Sequence, residues 1–214
     1  MVESATQPTV QVVNSLSDIY LDVEGSLKSV HEVRYSNLCQ RFKNFYGEKP
    51  SFYVRAPGRV NIIGEHIDYC GYSVLPAAIE QDFIIAYIPT DDESITINNI
   101  DKDLYPTEVI STDPFQKFKD SAHWLNYFLC GYKAVLALDS PLKGKVAKPR
   151  GMKILIESLV PAAAGLSSSS AFCVCTAIAT LHVNGIIDQV DQATLANLVI
   201  SAERMAGTAC GGMD

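Results

Sequence analysis

Between Met152 and Val183 the periodicity of the sequence changes twice, and no other stretch restricts the fold so tightly. Met152, Ile154 and Ile156 recur at the two-residue period of a strand, which stops at Pro161. Pro161-Ala162-Ala163-Ala164-Gly165-Leu166-Ser167-Ser168-Ser169-Ser170-Ala171 then holds almost nothing but small side chains. A helical period opens within the serine run and continues through Phe172, Cys175, Ile178, Ala179 and Val183. A strand feeding a helix through small residues leaves the first helical N–H groups open to an anion. The serine hydroxyls add donors, and oxygens suited to a hard cation. Taken alone, the run is equally well explained as a Ser-rich N-cap without a ligand.

The rest of the chain supplies a sheet for this unit. Residues 1–28 are a polar, variable lead-in. A helix is expected over 30–46, with Val30, Val33, Leu38, Phe42 and Phe45 on one buried face and Gly47 as its stop. Phe52–Ala56 and Val60–Ile63 each have strand character and are separated by Pro57-Gly58; a loop follows over 64–72. Phe83–Ile88 is a further strand, and the pattern over 91–120 is weak. Trp124–Leu138 has a helical pattern ended by Pro141, and Asp191 caps a last helix whose inner face carries Leu195, Leu198, Val199, Ala202 and Met205. Strands and helices alternate without a regular βαβ rhythm. The expected fold class is therefore α+β, a mixed β-sheet with helices packed on it, in one main domain over 29–214.

Charge and cysteine content narrow the function. The 214 residues carry a formal net charge of −7, which disfavours nucleic acid or an anionic membrane as the main partner. A local pocket can still oppose that charge and hold a small anion. Residues 1–15 lack the basic and apolar regions of a secretory signal, and no apolar run approaches the roughly 20 residues that span a bilayer. The six cysteines, Cys39, Cys70, Cys130, Cys173, Cys175 and Cys210, lack zinc-ribbon spacing. A cytoplasmic monomer acting on small molecules is expected.

Two other stretches carry chemistry. In Arg59-Val60-Asn61-Ile62-Ile63-Gly64-Glu65-His66-Ile67-Asp68, a guanidinium, two carboxylates and an imidazole crowd together after an apolar strand. Carboxylates accept hydrogen bonds from vicinal hydroxyls and an imidazole can donate or accept, which is what a pyranose requires. In Ser201 to Asp214, Glu203 falls off the main apolar face of the last helix, and a glycine-rich turn, including Gly211, delivers Asp214. Any one of these residues alone would pass for a solvated charge. The commoner signatures are missing. Gly144-Lys145 is followed by Val146, so no P-loop is formed, and neither G-x-G-x-x-G nor a nucleophile elbow occurs.

In this order the three stretches resemble those of GHMP-type small-molecule kinases. Gly58 to Tyr69 is similar to the galactokinase signature G-R-V-N-x-I-G-E-H-x-D-Y, and Pro161 to Ser169 to the family phosphate loop. The segment ending in Asp214 is similar to the one that carries the family's active-site aspartate. The resemblance implies a sugar-binding signature over about 38–88 and an ATP-binding region over about 152–214. It implies a domain like the second domain of ribosomal protein S5, and a C-terminal domain that these residues do not include. It also implies ATP and Mg²⁺, with transfer of the γ-phosphoryl group to the anomeric hydroxyl of galactose. Arg59 and Asp214 would be catalytic, and Glu65, His66, Asp68 and Gly211 would hold the sugar. Ala163, Ala164, Gly165, Leu166, Ser167, Ser168 and Ser169 would wrap the phosphates, Trp124 would lie against adenine, and Ser169 with Glu203 would bind Mg²⁺.

The sequence departs from the plain galactokinase pattern at Ile67 and Cys70-Gly71-Tyr72, which resemble the N-acetylgalactosamine kinase branch. The closing loop is mixed: Gly207-Thr208 resembles that branch and Cys210-Gly211 resembles galactokinases. Because the chain stops at Asp214, it is expected to be the N-terminal half of a longer enzyme. Relatives that serve as sugar- and ATP-responsive regulators of a transcriptional repressor provide a non-enzymatic alternative.

Overall fold

The computed structural model describes residues 9–20, 26–120, 123–137, 140, 142, 144–205, 207 and 211–214. Nine principal elements run in the order α1 (Ser26–Tyr46), β1 (Phe52–Ile63), β2 (Leu75–Thr90), β3 (Ser94–Asn99), β4 (Glu108–Ser111), α2 (Leu125–Leu136), β5 (Gly151–Ser158), α3 (Ser168–Val183) and α4 (Gln192–Met205). The strands form one sheet in the order β1-β2-β5-β3-β4. All neighbours are antiparallel except β3 and β5, which are parallel, so the sheet is mixed as the α+β reading requires.

Strand β2 shows why an inner strand of the sheet reads as a continuous apolar run. Phe83, Ile85 and Tyr87 pack against Phe128, Tyr132, Phe172 and Ala179 from α2 and α3. Ile84 and Ala86 face the opposite way, onto Leu38 and Phe42 of α1. A strand buried on both faces loses the polar alternation of a half-exposed one. Behind α2 and α3, α4 seats Leu195, Leu198, Val199 and Ala202 against Cys130, Val135, Cys173, Ala177 and Leu181. Its first turn is capped as expected, with the Thr194 N–H donating to Asp191 Oδ1 at 2.7 Å.

Several sequence expectations change. Phe52 to Ile63 is one strand, because the Pro57-Gly58 interruption is absorbed as a shift in pairing register between Pro57 and Arg59. The weak stretch over 91–120 contains two strands, β3 and β4. Val30 and Val33 are solvent-exposed; the first half of α1 instead buries His31, Arg34 and Tyr35. Arg34 donates to Asp82 Oδ1 and to Glu157 Oε1, so ion pairs replace hydrophobic contact along that part of the helix. Met205 is half exposed, at the end of α4. Glu203, expected off the apolar face, is 2% exposed and lies on the inner face. Among the described residues the cysteines form no disulfide, and Cys130, Cys173 and Cys175 are buried. Thr208 and Cys210 lie outside the described residues, as do residues 1–8.

Candidate active site

The site forms at the register shift of β1 between Pro57 and Arg59, where the strand meets the loop between β5 and α3. At Gly58 the two backbones nearly touch: a Cβ there would stand 2.9 Å from Leu166 O and 3.1 Å from Val160 Cγ1. The absence of a side chain lets the Arg59 N–H donate to Leu166 O at 3.0 Å. The Arg59 guanidinium then spans the gap, donating from Nη1 to Gly165 O at 3.1 Å and pairing through Nη2 with Asp214 Oδ1. Ser167 Oγ donates to the same Asp214 oxygen at 2.7 Å. Three segments far apart in sequence thus converge on one carboxylate.

The loop itself is strained in an informative way. Among the described residues, the non-glycine residues with left-handed φ are His66, Ala163 and Ser167, all inside the predicted site segments. Each such residue costs on the order of 1–3 kcal/mol and persists only where the surroundings impose it. Left-handed φ recurs at Ala163, Gly165 and Ser167. Turn conformations of this kind gather successive N–H groups into an anion-binding concavity. The N-terminus of α3 follows directly, adding unpaired N–H groups and the positive end of its dipole.

A cavity of about 780 Å³ opens beside the loop, walled by Pro161 to Ser169, Arg59 and Asp214 on one side and Trp124, Tyr127 and Phe172 on the other. Trp124 precedes α2, half-buried, in near-parallel contact with Phe172 (centroids 6.4 Å apart) and edge-on to Tyr105 at 5.9 Å. Its indole Nε1 is buried without a hydrogen-bond partner, a donor ready for a planar polar ligand. The end of β3 and the loop that follows it complete the wall with Asn99, Asp101 and Tyr105. Sequence reasoning missed these residues because they lie in the weak 91–120 stretch. Tyr127 could have been found, since it stands three residues after Trp124 on the same helical face.

After β1, Asp68 Oδ2 accepts the Gly211 N–H at 3.1 Å. A Cβ on Gly211 would collide with that oxygen and with the Tyr69 N–H, each 2.4 Å away. Glu65 and His66 lie exposed on the loop after β1 and do not line the large cavity. Glu203 is reached by Ser170, one residue beyond the expected Ser169; Ser170 Oγ donates to its two carboxylate oxygens at 2.9 and 2.8 Å. Ser169 lines the cavity, with Glu203 buried behind it. A buried carboxylate and serine hydroxyls beside a loop that gathers backbone N–H groups are oxygen donors of the kind Mg²⁺ takes. Among the described residues no three His, Cys, Asp or Glu side chains converge as a metal cage. Such an ion would therefore draw most of its oxygens from phosphate and water.

A family model of the galactokinase galactose-binding signature matches residues 40–89, and one of the GHMP kinases N terminal domain matches residues 126–214. The crystal structure of Lactococcus lactis galactokinase complexed with galactose superposes with a TM-score of 0.65 at 23% identity, covering 83% of this chain and 42% of that one. The fold is that of a GHMP kinase N-terminal domain. A galactokinase from Candida parapsilosis is 39% identical over 188 residues, 87% of this chain and 37% of that protein. One from Candida maltosa is 36% identical over 208 residues, covering 96% of this chain and 92% of that sequence. The chain belongs to the galactokinase family. It spans 37% of the length of the Candida parapsilosis relative and 39% of a Dictyostelium discoideum one.

Proposed function

We propose that this chain carries the sugar-binding and ATP-binding parts of a sugar-1-kinase, which moves the γ-phosphoryl group of ATP to the anomeric hydroxyl of galactose. The observation that carries this reading is the junction of Arg59, Ser167 and Asp214 beside the Pro161–Ser169 loop. Asp214 is the general base for the sugar hydroxyl, a role typically worth about 10²–10⁴-fold. Arg59 keeps that carboxylate ionised and neutralises charge as it builds on the transferring oxygens. The transition state of phosphoryl transfer is loose and anionic, so positioning and electrostatics supply most of the acceleration. The N–H groups of Ala163 to Ser169 and of the first turn of α3 receive the phosphates, and Trp124 lies against the adenine. Glu65, His66, Asp68 and Gly211 hold the sugar. Mg²⁺, held by Ser169 and Glu203, would offset the negative charge of the phosphates.

The galactokinase names of the similar proteins favour galactose. Ile67 and Cys70-Gly71-Tyr72, which flank Asp68 and resemble the N-acetylgalactosamine kinase branch, extend the reading to N-acetylgalactosamine. The protein would act as a cytoplasmic monomer on small molecules. Among the described residues no helix is long and apolar enough to cross a membrane. A coupled ADP-release assay on the full-length protein, run with each sugar, tests the proposal. Turnover with at least one of them is expected, and Asp214→Asn should abolish turnover while sugar binding persists. Near-normal turnover by that variant would exclude Asp214 as base. Sugar-dependent capture of a repressor without ADP release would replace the enzyme with a sensor.

A further inference from the structure

Asp82 lies in the middle of β2, opposite Pro57 of β1 and 0% exposed, and belongs to none of the roles above. Tyr20 Oη donates to its Oδ2 at 2.6 Å, Arg55 Nε to the same oxygen at 2.5 Å, and Arg34 Nη1 to Oδ1 at 2.5 Å. Arg34 Nε also reaches Glu157 of β5 at 2.9 Å, so two guanidiniums are balanced by two carboxylates. Burial opposes ionisation of Asp82, but the hydrogen bonds from Tyr20, Arg34 and Arg55 outweigh it and hold the carboxyl below its ordinary range.

The main chain around Asp82 connects this hub to the site. Pairing of β1 with β2 is regular from Phe52 to Pro57, then jumps: Pro57 opposes Asp82, whereas Arg59 opposes Ala78. Ile79, Glu80 and Gln81 therefore bulge where β1 has only Gly58. Arg55 spans that bulge, with Nε on Asp82 and Nη2 3.5 Å from Glu80 O. Asp82 O accepts the Leu159 N–H at 2.9 Å, immediately before β5 runs into the Pro161 loop. Apolar side chains of equal volume would dock α1 at least as well as these ion pairs. What apolar contact lacks is direction, and a bulge needs direction to avoid slipping by a residue.

We propose that Asp82 is a positioning residue which, through Arg55, staples the β2 bulge and so brings Gly58-Arg59 and the Pro161–Ser169 loop together. The proposal rests on the reading of Arg59 and that loop as working parts, but its test needs neither substrate nor turnover. Amide hydrogen exchange, followed by NMR on the 214-residue chain, reads the Arg59 N–H directly through its bond to Leu166 O. Asp82→Asn and Arg55→Gln are each expected to speed exchange at Arg59 by about tenfold or more, and at Val199 in α4 by less than about threefold. Arg34→Gln, which cuts the α1 side of the hub, should leave Arg59 protected. Where Asp82→Asn fails to fold, Arg55→Gln carries the test. Unchanged protection of Arg59 in a folded variant overturns the proposal, as does an equal rise in α4. An Arg34→Gln effect as large as that of Arg55→Gln would also overturn it, by assigning the effect to helix docking. A kinase that fails every activity assay would leave this result readable, and a failed staple would leave the kinase reading in place.

Discussion

Replacing Gly58 with Ala isolates one contact, because the backbone there lies outside the left-handed region and an alanine could adopt it. In the unfolded chain the substitution even helps, by roughly 0.4–1 kcal/mol. The cost is entirely spatial. The added Cβ would stand 2.9 Å from Leu166 O, 3.1 Å from Ile79 Cδ1 and 3.1 Å from Val160 Cγ1. An unstrained carbon–oxygen contact is roughly 3.3–3.6 Å, so the loop must retreat by about 0.5 Å at a backbone atom that cannot rotate away. Leu166 O is also the acceptor of the Arg59 N–H at 3.0 Å. The same retreat takes that bond past its useful range, a loss of about 1 kcal/mol. Overpacking adds about 1–3 kcal/mol, which leaves a net destabilisation of about 2 kcal/mol after the unfolded-state gain. For a chain of this length that is a fall in Tm of roughly 4–8 °C.

Binding should suffer separately, since the displaced carbonyl belongs to the loop proposed to receive phosphate. A loss of about tenfold in ADP affinity, or ~1.4 kcal/mol, is expected. Trp124 is the one tryptophan of the sequence and lines the cavity, so its fluorescence reports binding without a label. Thermal melts and a fluorescence titration on wild type and Gly58→Ala decide the matter. A variant with the wild-type Tm and ADP affinity would refute the close approach of β1 and the loop.

Two further outcomes follow from buried polar groups. Ser170→Ala strips the hydroxyl from a buried carboxylate, and urea unfolding should show a loss of about 1.5–3 kcal/mol; a change under about 0.5 kcal/mol would mean that Glu203 is satisfied elsewhere. His182, whose Nδ1 lies 2.8 Å from Tyr87 Oη, has its pKa lowered by burial, so the unfolded chain binds the proton more readily. Stability should be at its full value above about pH 6.5 and fall as the pH drops below it, through the lower folded value. In His182→Gln that part of the slope should vanish from the urea midpoints between about pH 5 and 7; an unaltered slope would assign the titration to another group.

The parts of the site that sequence revealed are those whose chemistry is local. A run of small residues ahead of a helical period needs no partner to expose N–H groups, so the 161–171 loop and the start of α3 were readable. The strand character of Phe83–Ile88 was readable too, because a doubly buried strand is apolar along its length. What could not be read depended on neighbours distant in the chain. The first half of α1 turns a polar face inward, and only the arrival of Asp82 and Glu157 makes burial of Arg34 affordable. Glu203 passed for an exposed residue because its hydrogen-bond donor, Ser170, lies on another helix. The break at Pro57-Gly58 looked like a strand end, whereas the sheet absorbs it as a register shift by bulging β2. Sequence alone thus marked the segments proposed to bind a phosphate and a polyol, since donors and acceptors are properties of residue types. Tertiary structure decided that Arg59, Ser167 and Asp214 share one point in space, since only the packing of β1 against the β5–α3 loop brings them together.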